Sequence, residues 1–392
     1  MPISNQVLGS RRRIHISRKA LKDADLSGAI DQYILNIIPG SGMFNPQKPN
    51  IIPNLASAQG QGTTASKLFK GRVDIQTTLS TLLTTEAFAM HMAASLPFGG
   101  VAAAASGYAH TAYFDQTANQ DTLSARTVEE HHDGSDVTSY MDYMLGQVIC
   151  TGWRFNVNRG SDFSTIEGDW VARDNAAGHD LSSKDVVGNW PADPGFTAPK
   201  IGVWVEKNAT GYDTKWDTTI STPGTLGTPY HDLTSPLNLS EYYETLQMSW
   251  ASNIDIEKLY AGGTSTDAGI KRDVDGAVIV IPPTIQCALS LDLTSHATLQ
   301  EFINYFKDFD NADPDSYSLY ICGVSDKLAA TGCYYGFVVV LPACYPADVT
   351  LPTDNGPTMA NVTLEAMADK DANPQIKTAA FDADSGDYYA TS

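Results

Sequence analysis

Val148-Ile149-Cys150-Thr151-Gly152-Trp153-Arg154-Phe155-Asn156-Val157-Asn158-Arg159-Gly160-Ser161-Asp162-Phe163-Ser164-Thr165-Ile166-Glu167-Gly168-Asp169-Trp170-Val171 is the stretch on which the fold turns. Trp153, Phe155 and Val157 alternate with Arg154, Asn156 and Asn158. After the turn Arg159-Gly160-Ser161-Asp162, Ile166 and Trp170 alternate with Thr165, Glu167 and Asp169. A period of two marks strands with one buried and one wetted face, so the stretch predicts a β-hairpin.

Outward from the hairpin the same signal recurs. Upstream, Val137 to Leu145 is rich in β-branched and aromatic residues, and Gly146 is expected to break it. Val7 to Ile16, Arg72 to Thr78 and Tyr108 to Phe114 read as strands. Downstream, Ile285, Cys287, Leu289, Leu291 and Leu293 form the cleanest alternation in the chain, and Gly276 to Ile281, Ser318 to Cys322, Tyr334 to Leu341 and Met359 to Met367 read as strands. Two helices interrupt the pattern. Leu83, Ala87, Met90 and Ala94 recur at helical spacing, with Thr84 or Thr85 as cap and Glu86 in the first turn. Thr298 and Glu301 form a capping box before Leu299, Phe302, Ile303 and Phe306. The layout suggests two halves with one helix each.

Five segments follow from this. Residues 1–64 are expected to form an extended, Pro- and Gly-rich N-terminal arm, and 65–173 the first half of a β-domain. Residues 174–246, full of turn formers, read as a loop-rich outer insertion. Residues 247–369 are the second half, and 370–392 a polar C-terminal tail.

The 392 residues carry a net charge of -20. Residues 1–72 hold ten Lys/Arg and three acids, a balance of +7, which leaves fifteen basic and forty-two acidic residues, or -27, for the remainder. A basic arm on an acidic body suggests head-to-tail self-association; a solvated acidic surface with an incidental basic start is the plainer alternative. No apolar run approaches the ~20 residues of a membrane span, and the N-terminus lacks a signal peptide's apolar core. The five cysteines have no paired spacing and are expected as buried thiols in a reducing compartment.

No catalytic set, cofactor site or metal site emerges. Glu129-Glu130-His131-His132-Asp133 looks metal-like, but neighbours on a strand point opposite ways, and a solvated hairpin turn is the better reading. Asp308, Asp310, Asp313 and Asp315 lack the Gly and Glu of a calcium loop. Gly60-Gln61-Gly62-Thr63-Thr64-Ala65 has no strand leading into it.

The order of elements does carry a resemblance. A Thr127-Val128-Glu129 strand, a charged turn, an aromatic strand ending at Gly146, then Val148 to Phe155 and the closing Glu167-Gly168-Asp169 resemble the core of the major tail tube proteins of long-tailed bacteriophages. The resemblance covers roughly Ser66 to Arg173 and Gly276 to Met367, and the segment from Asp174 to Ser240 departs from compact members. It implies a mainly β fold: a β-sandwich with a flanking helix, lending four strands to the inner β-barrel of a hexameric ring. Rings would stack into a tube in the virion tail, made in the host cytoplasm, with tape measure, tail tip and terminator proteins as partners. DNA would be a cargo that does not stick, and no membrane would be involved.

On that reading Tyr140 to Val157, Phe163 to Val171, Tyr334 to Leu341 and Met359 to Met367 are the expected lining strands. Asp142, Glu167, Asp169 and Glu365 are the expected lumen-facing acids, and Arg11, Arg12, Arg13, Arg18 and Lys19 the expected inter-subunit contacts of the arm. The alternatives are an extracellular carbohydrate-binding β-sandwich, whose six tryptophans and eighteen tyrosines would supply stacking platforms, or another virion shell component such as a head or baseplate protein.

Overall fold

The computed structural model describes residues 7–20, 32–35, 37–38, 41–42, 51–53, 68–70, 75–104, 107–115, 122–134, 143–172, 195–208, 220–225, 227–254, 277–278, 283–293, 302, 305–306, 316–350, 359–367 and 374–389. The protein is mainly β. In chain order the first-half elements are β1 (Val7–Ser17), β2 (Gln32–Leu35), β3 (Ile51–Pro53), β4 (Leu68–Lys70), β5 (Ile75–Leu82), α1 (Thr85–Ser95), β6 (Phe98–Ala104), β7 (Gly107–Phe114), β8 (Thr122–Leu123), β9 (Arg126–Gly134), β10 (Tyr143–Asn158) and β11 (Thr165–Ala172). Then come β12 (Ile201–Asn208), β13 (Gly224–Thr225), β14 (Thr228–Pro229), β15 (Leu237–Asn238), β16 (Tyr243–Ala251), β17 (Ala277–Val278), β18 (Thr284–Asp292), β19 (Ser316–Ala330), β20 (Cys333–Thr350), β21 (Met359–Ala366) and β22 (Ile376–Asp382).

Sixteen of these strands join in one antiparallel network. It forks at its two longest members. One edge of β10 pairs with β11; the other pairs with β9 over Tyr143 to Val148 and with β16 over Gly152 to Asn158. One edge of β20 pairs with β19; the other pairs with β22 over Gly336 to Val340 and with β21 over Cys344 to Thr350. Each fork lets one strand edge serve two partners. One path through the network, the first layer, runs β5-β11-β10-β16-β18-β21-β20; β9-β1-β2 branch from β10, β22-β7-β6 branch from β20, and β19-β12-β15 continue from the other edge of β20.

Helix α1 lies in the core, against β10, β11, β20, β22 and β7, with all eleven residues buried. Thr84 Oγ1 accepts from Ala87 N (3.1 Å) as N-cap, and Glu86 sits in the first turn. The helix stops at Leu96, which is extended (φ -99°, ψ 133°) because Pro97 follows. Thr84 is thus the cap among the two expected. In the second half Phe302, Tyr305 and Phe306 are helical; Phe306 stacks on Tyr317, and Tyr305 and Phe302 pack beside them; the proposed capping box Thr298 and Glu301 lies outside the described residues.

Several expectations need correction. Residues 7–20 are no free arm: β1 pairs with β9 (Arg12↔His132 to Ile16↔Val128) and with β2, and Ile14 and Ile16 enter the core. Their alternation fits a half-buried strand as well as an arm, and the body offered an edge. The 174–246 segment is not an outer insertion in its described part. Its strand β12 pairs with β19 along its whole length, and Phe196, Val203, Val205 and Leu239 are buried in the main core. Gly146 does not break its strand: β10 continues past it, with a register shift between Leu145 and Val148. Nor is 129–133 a hairpin turn, since Glu129 and Glu130 are buried on β9 between β1 and β10. The tail forms β22, buried throughout between β20 and β7.

Candidate functional site

The first layer has one core face and one open polar face. Trp153, Phe155, Ile166, Trp170, Leu246, Met248, Trp250, Cys287, Leu289 and Leu364 form the core side. The opposite positions, Val171 apart, stay partly or fully exposed along β11, β16, β18 and β21.

Register aligns this open face into rows. One row runs Ser80, Glu167, Arg154, Ser249, Gln286, Glu365 and Tyr345 across seven strands. The next runs Thr165, Asn156, Gln247, Ala288, Thr363 and Asp348. Hydrogen bonds tie neighbours along each row, the sheet counterpart of helical i,i+4 pairs. Arg154 Nε donates to Glu167 Oε2 (2.6 Å), Gln247 Nε2 to Asn156 Oδ1 (2.8 Å) and Gln286 Nε2 to Glu365 Oε2 (3.2 Å). Thr78 Oγ1 donates to Asp169 Oδ1 (2.6 Å), and Arg154 Nη1 lies 3.7 Å from Asp169 Oδ2. Partial burial, and then Glu365, push the Tyr345 phenol above its ordinary pKa.

The balance of charge on these strands is acidic. In β5, β10, β11, β16, β18, β21 and residues 345–350, Arg154 is the one Lys or Arg, against Glu167, Glu244, Asp169, Asp292, Asp348 and Glu365. Three of the four acids singled out from sequence, Glu167, Asp169 and Glu365, therefore share one face. Asp142 lies outside the described residues. The four lining strands do not come together as expected. Strands β16 and β18 stand between β10 and β21, while Tyr334 to Leu341 runs almost wholly buried between β19 and β22. Only the far end of β20, Tyr345 to Thr350, reaches the open layer, through β21.

The arm residues lie on β1 or just after it. Arg12 and Arg13 are in register with His132 and His131 on β9, and Arg11 lies in the same strand β1. Arg18 is buried and paired with Asp384, and Lys19 is half-buried, its carbonyl accepting from Ser17 Oγ (2.9 Å). Beside them is a group that sequence reasoning missed. Arg126 is wholly buried. Its Nη1 donates to the Ser17 (3.2 Å) and Arg18 carbonyls, and its Nη2 to those of Ala93 (3.1 Å) and Tyr388 (2.8 Å). The guanidinium thus ties the end of β1, the C-terminal turn of α1 and the chain's last described turn together, at the negative end of the helix. Burial lowers its pKa to about 10, partly offset by Tyr389, Tyr388, Cys150 and Asp387, so it is charged at neutral pH. His110 Nε2 to Asp382 Oδ1 (2.8 Å) adds a second tie to the C-terminal segment. An arginine opening a strand carries no local sign of such a role.

Among the described residues no three His, Cys, Asp or Glu side chains come together as a metal-ligand group. The five cysteines are free and buried, and burial raises the pKa of each thiol. A cavity between α1, β7 and β22, lined by Phe88, Met92, His110, Thr378 and Tyr388, has a volume of about 10 Å³, room for a single water. No described helix is long and apolar enough to cross a membrane. The chain matches no protein-family model and no curated protein.

Proposed function

We propose that the chain is a structural subunit of a hollow assembly, a tail tube protein of the long-tailed bacteriophage kind, whose open sheet face lines a channel that conducts DNA. The observation that carries this reading is the polar face across seven strands, whose sequences hold six acids to one Lys or Arg, backed by a core that encloses α1. A wide sheet with one wetted face suits the wall of a barrel closed by several copies. Acidic groups repel phosphates within a Debye length of ~8 Å at physiological salt, so the cargo slides without binding. In this reading six copies form a ring, rings stack in the virion tail, and tape measure, tip and terminator proteins cap the tube.

Edges support the same reading. The outer edge of β5 is partly covered by residues 37–38 and 41–42, through Ile38 N to Ser80 O (2.9 Å) and Gly42 N to Thr78 O (3.1 Å). At the far side of the layer, no strand among the described residues pairs with the outer edge of Tyr345 to Thr350. An edge of that kind is a ready place for a second chain to add. Against the carbohydrate-binding alternative, the four tryptophans among the described residues, Trp153, Trp170, Trp204 and Trp250, are buried and supply no stacking platform.

Electron microscopy of the purified full-length protein, alone and after concentration, tests the proposal. Hollow tubes or rings of uniform diameter are expected. A protein that remains monomeric when concentrated, in a virion whose tail lacks it, would overturn the proposal.

A further inference from the structure

Among the described residues of these seven strands Arg154 is the one Lys or Arg, and its position inside a polar face that bears several acids calls for a physical account. Its side chain is 40% exposed, enough to meet a polyanion lying on the sheet. Two acids from the neighbouring strand hold it: Glu167 Oε2 at 2.6 Å from Nε and Asp169 Oδ2 at 3.7 Å from Nη1. Those acids are fixed in turn by hydroxyls of the next strand, Asp169 by Thr78 (2.6 Å) and Glu167 by Ser80 (3.5 Å). Three strands thus build one arrangement around one guanidinium.

We propose that Glu167 and Asp169 cage Arg154, so that a phosphate-binding guanidinium is kept from polyanions, and that the cage sets the non-adhesive character of the face. A guanidinium is the side chain best suited to bind phosphate through two parallel N–H groups. Glu167 already takes Nε, and Asp169 faces Nη1, so a phosphate that pairs through those groups must displace carboxylates anchored to β5, and one that approaches Nη2 meets the repulsion of both. The guanidinium still bonds across β10 and β11 and holds their register, so the sheet keeps a cross-strand tie without offering an adhesive spot. The biological consequence rests on the channel reading above; the cage itself does not.

The test is fluorescence anisotropy of a labelled short DNA duplex titrated with unassembled full-length protein at about 50 mM salt. The wild type is expected to bind weakly. Glu167→Gln with Asp169→Asn frees the guanidinium and should tighten binding on the order of tenfold, as two unit charges near a phosphate imply. Adding Arg154→Gln to that pair should abolish the gain. A double variant that binds no better overturns the cage. So does a triple variant that keeps the full gain, since lost repulsion would then account for it. If the double variant does not fold, Glu167→Gln alone carries the same comparison, with Arg154→Gln added, at roughly threefold. Tubes absent from micrographs, with the anisotropy as expected, would remove the channel reading and leave the cage; tubes present without the gain would do the reverse.

Discussion

Replacing Arg126 by Met should cost about 3–5 kcal/mol of stability, the range for removing one partner of a buried charged network. The side chain is 0% exposed and donates to four backbone carbonyls, those of Ser17, Arg18, Ala93 and Tyr388. Methionine fills much of the volume but donates nothing. Each hydrogen bond to a charged group contributes roughly 1.5–3 kcal/mol, and a carbonyl left buried without a donor costs about 1–3 kcal/mol. Against this, the variant no longer buries a cation, a penalty already visible in the lowered pKa of Arg126. The balance stays destabilising because three segments lose their common tie at once. Urea unfolding of the unassembled chain, followed by fluorescence of the buried Trp153, Trp170 and Trp250, is the assay. A second variant lacking residues 383–392 removes the Tyr388 carbonyl and the Asp384 partner of Arg18. Because both changes act on one network, their combined effect should fall short of the sum by about 1–2 kcal/mol. An Arg126→Met protein within about 1 kcal/mol of wild type, or strict additivity with the truncation, would refute the network.

His91 on α1 is wholly buried with Nδ1 2.7 Å from the Ala87 carbonyl, and desolvation lowers its pKa from 6.5 to about 4 despite that bond. The unfolded chain therefore binds the proton first: the stability contributed by keeping His91 neutral is complete above pH 6.5 and is lost as pH falls to about 4, about 3 kcal/mol in all. His91→Leu should flatten this part of a thermal-midpoint-against-pH curve, and an unchanged slope would count against it. A Cβ at Gly168 would lie 2.6 Å from both His91 Cδ2 and Trp170 Nε1, so Gly168→Ala should cost roughly 1–3 kcal/mol in the same urea assay, and a neutral result would show that α1 can move off β11. Val205 is 0% exposed on β12, and Val205→Asp should leave the chain insoluble or unfolded by circular dichroism; a folded variant would return this segment to the periphery. On the channel reading proposed above, changing Glu167, Asp169 and Glu365 together to Lys should leave tubes intact but slow DNA ejection, with the defect easing as salt rises; normal ejection at low salt would dismiss that reading of this face.

The local pattern of side chains determined a good deal. The alternation Trp153, Phe155, Val157 against Arg154 and Asn156 gave β10 its faces before any partner was known, and the same holds for β11 and β18. Thr84 and Pro97 bracket α1 by chemistry that acts within a few residues. Glu167 and Asp169 fell on the wetted face for the same reason, since a period of two is a property of the strand alone. Strand β16 was missed although Leu246, Met248 and Trp250 alternate, since strands were expected again only from Gly276, and its place between β10 and β18 was not legible either. Pairing is a competition among edges far apart in the chain, and periodicity says which face is buried but not which edge is met. Phe114 meets Ile376, and Arg126 meets Tyr388, across more than half of the sequence. The turn-rich stretch holding β12 and the polar tail holding β22 entered the sheet because core edges were open to them, which composition alone does not record. The tertiary structure therefore decided the forks at β10 and β20, the seven-strand row that gathers Glu167, Arg154 and Glu365, and the burial of Arg126: each depends on hydrogen bonds whose partners are distant in sequence.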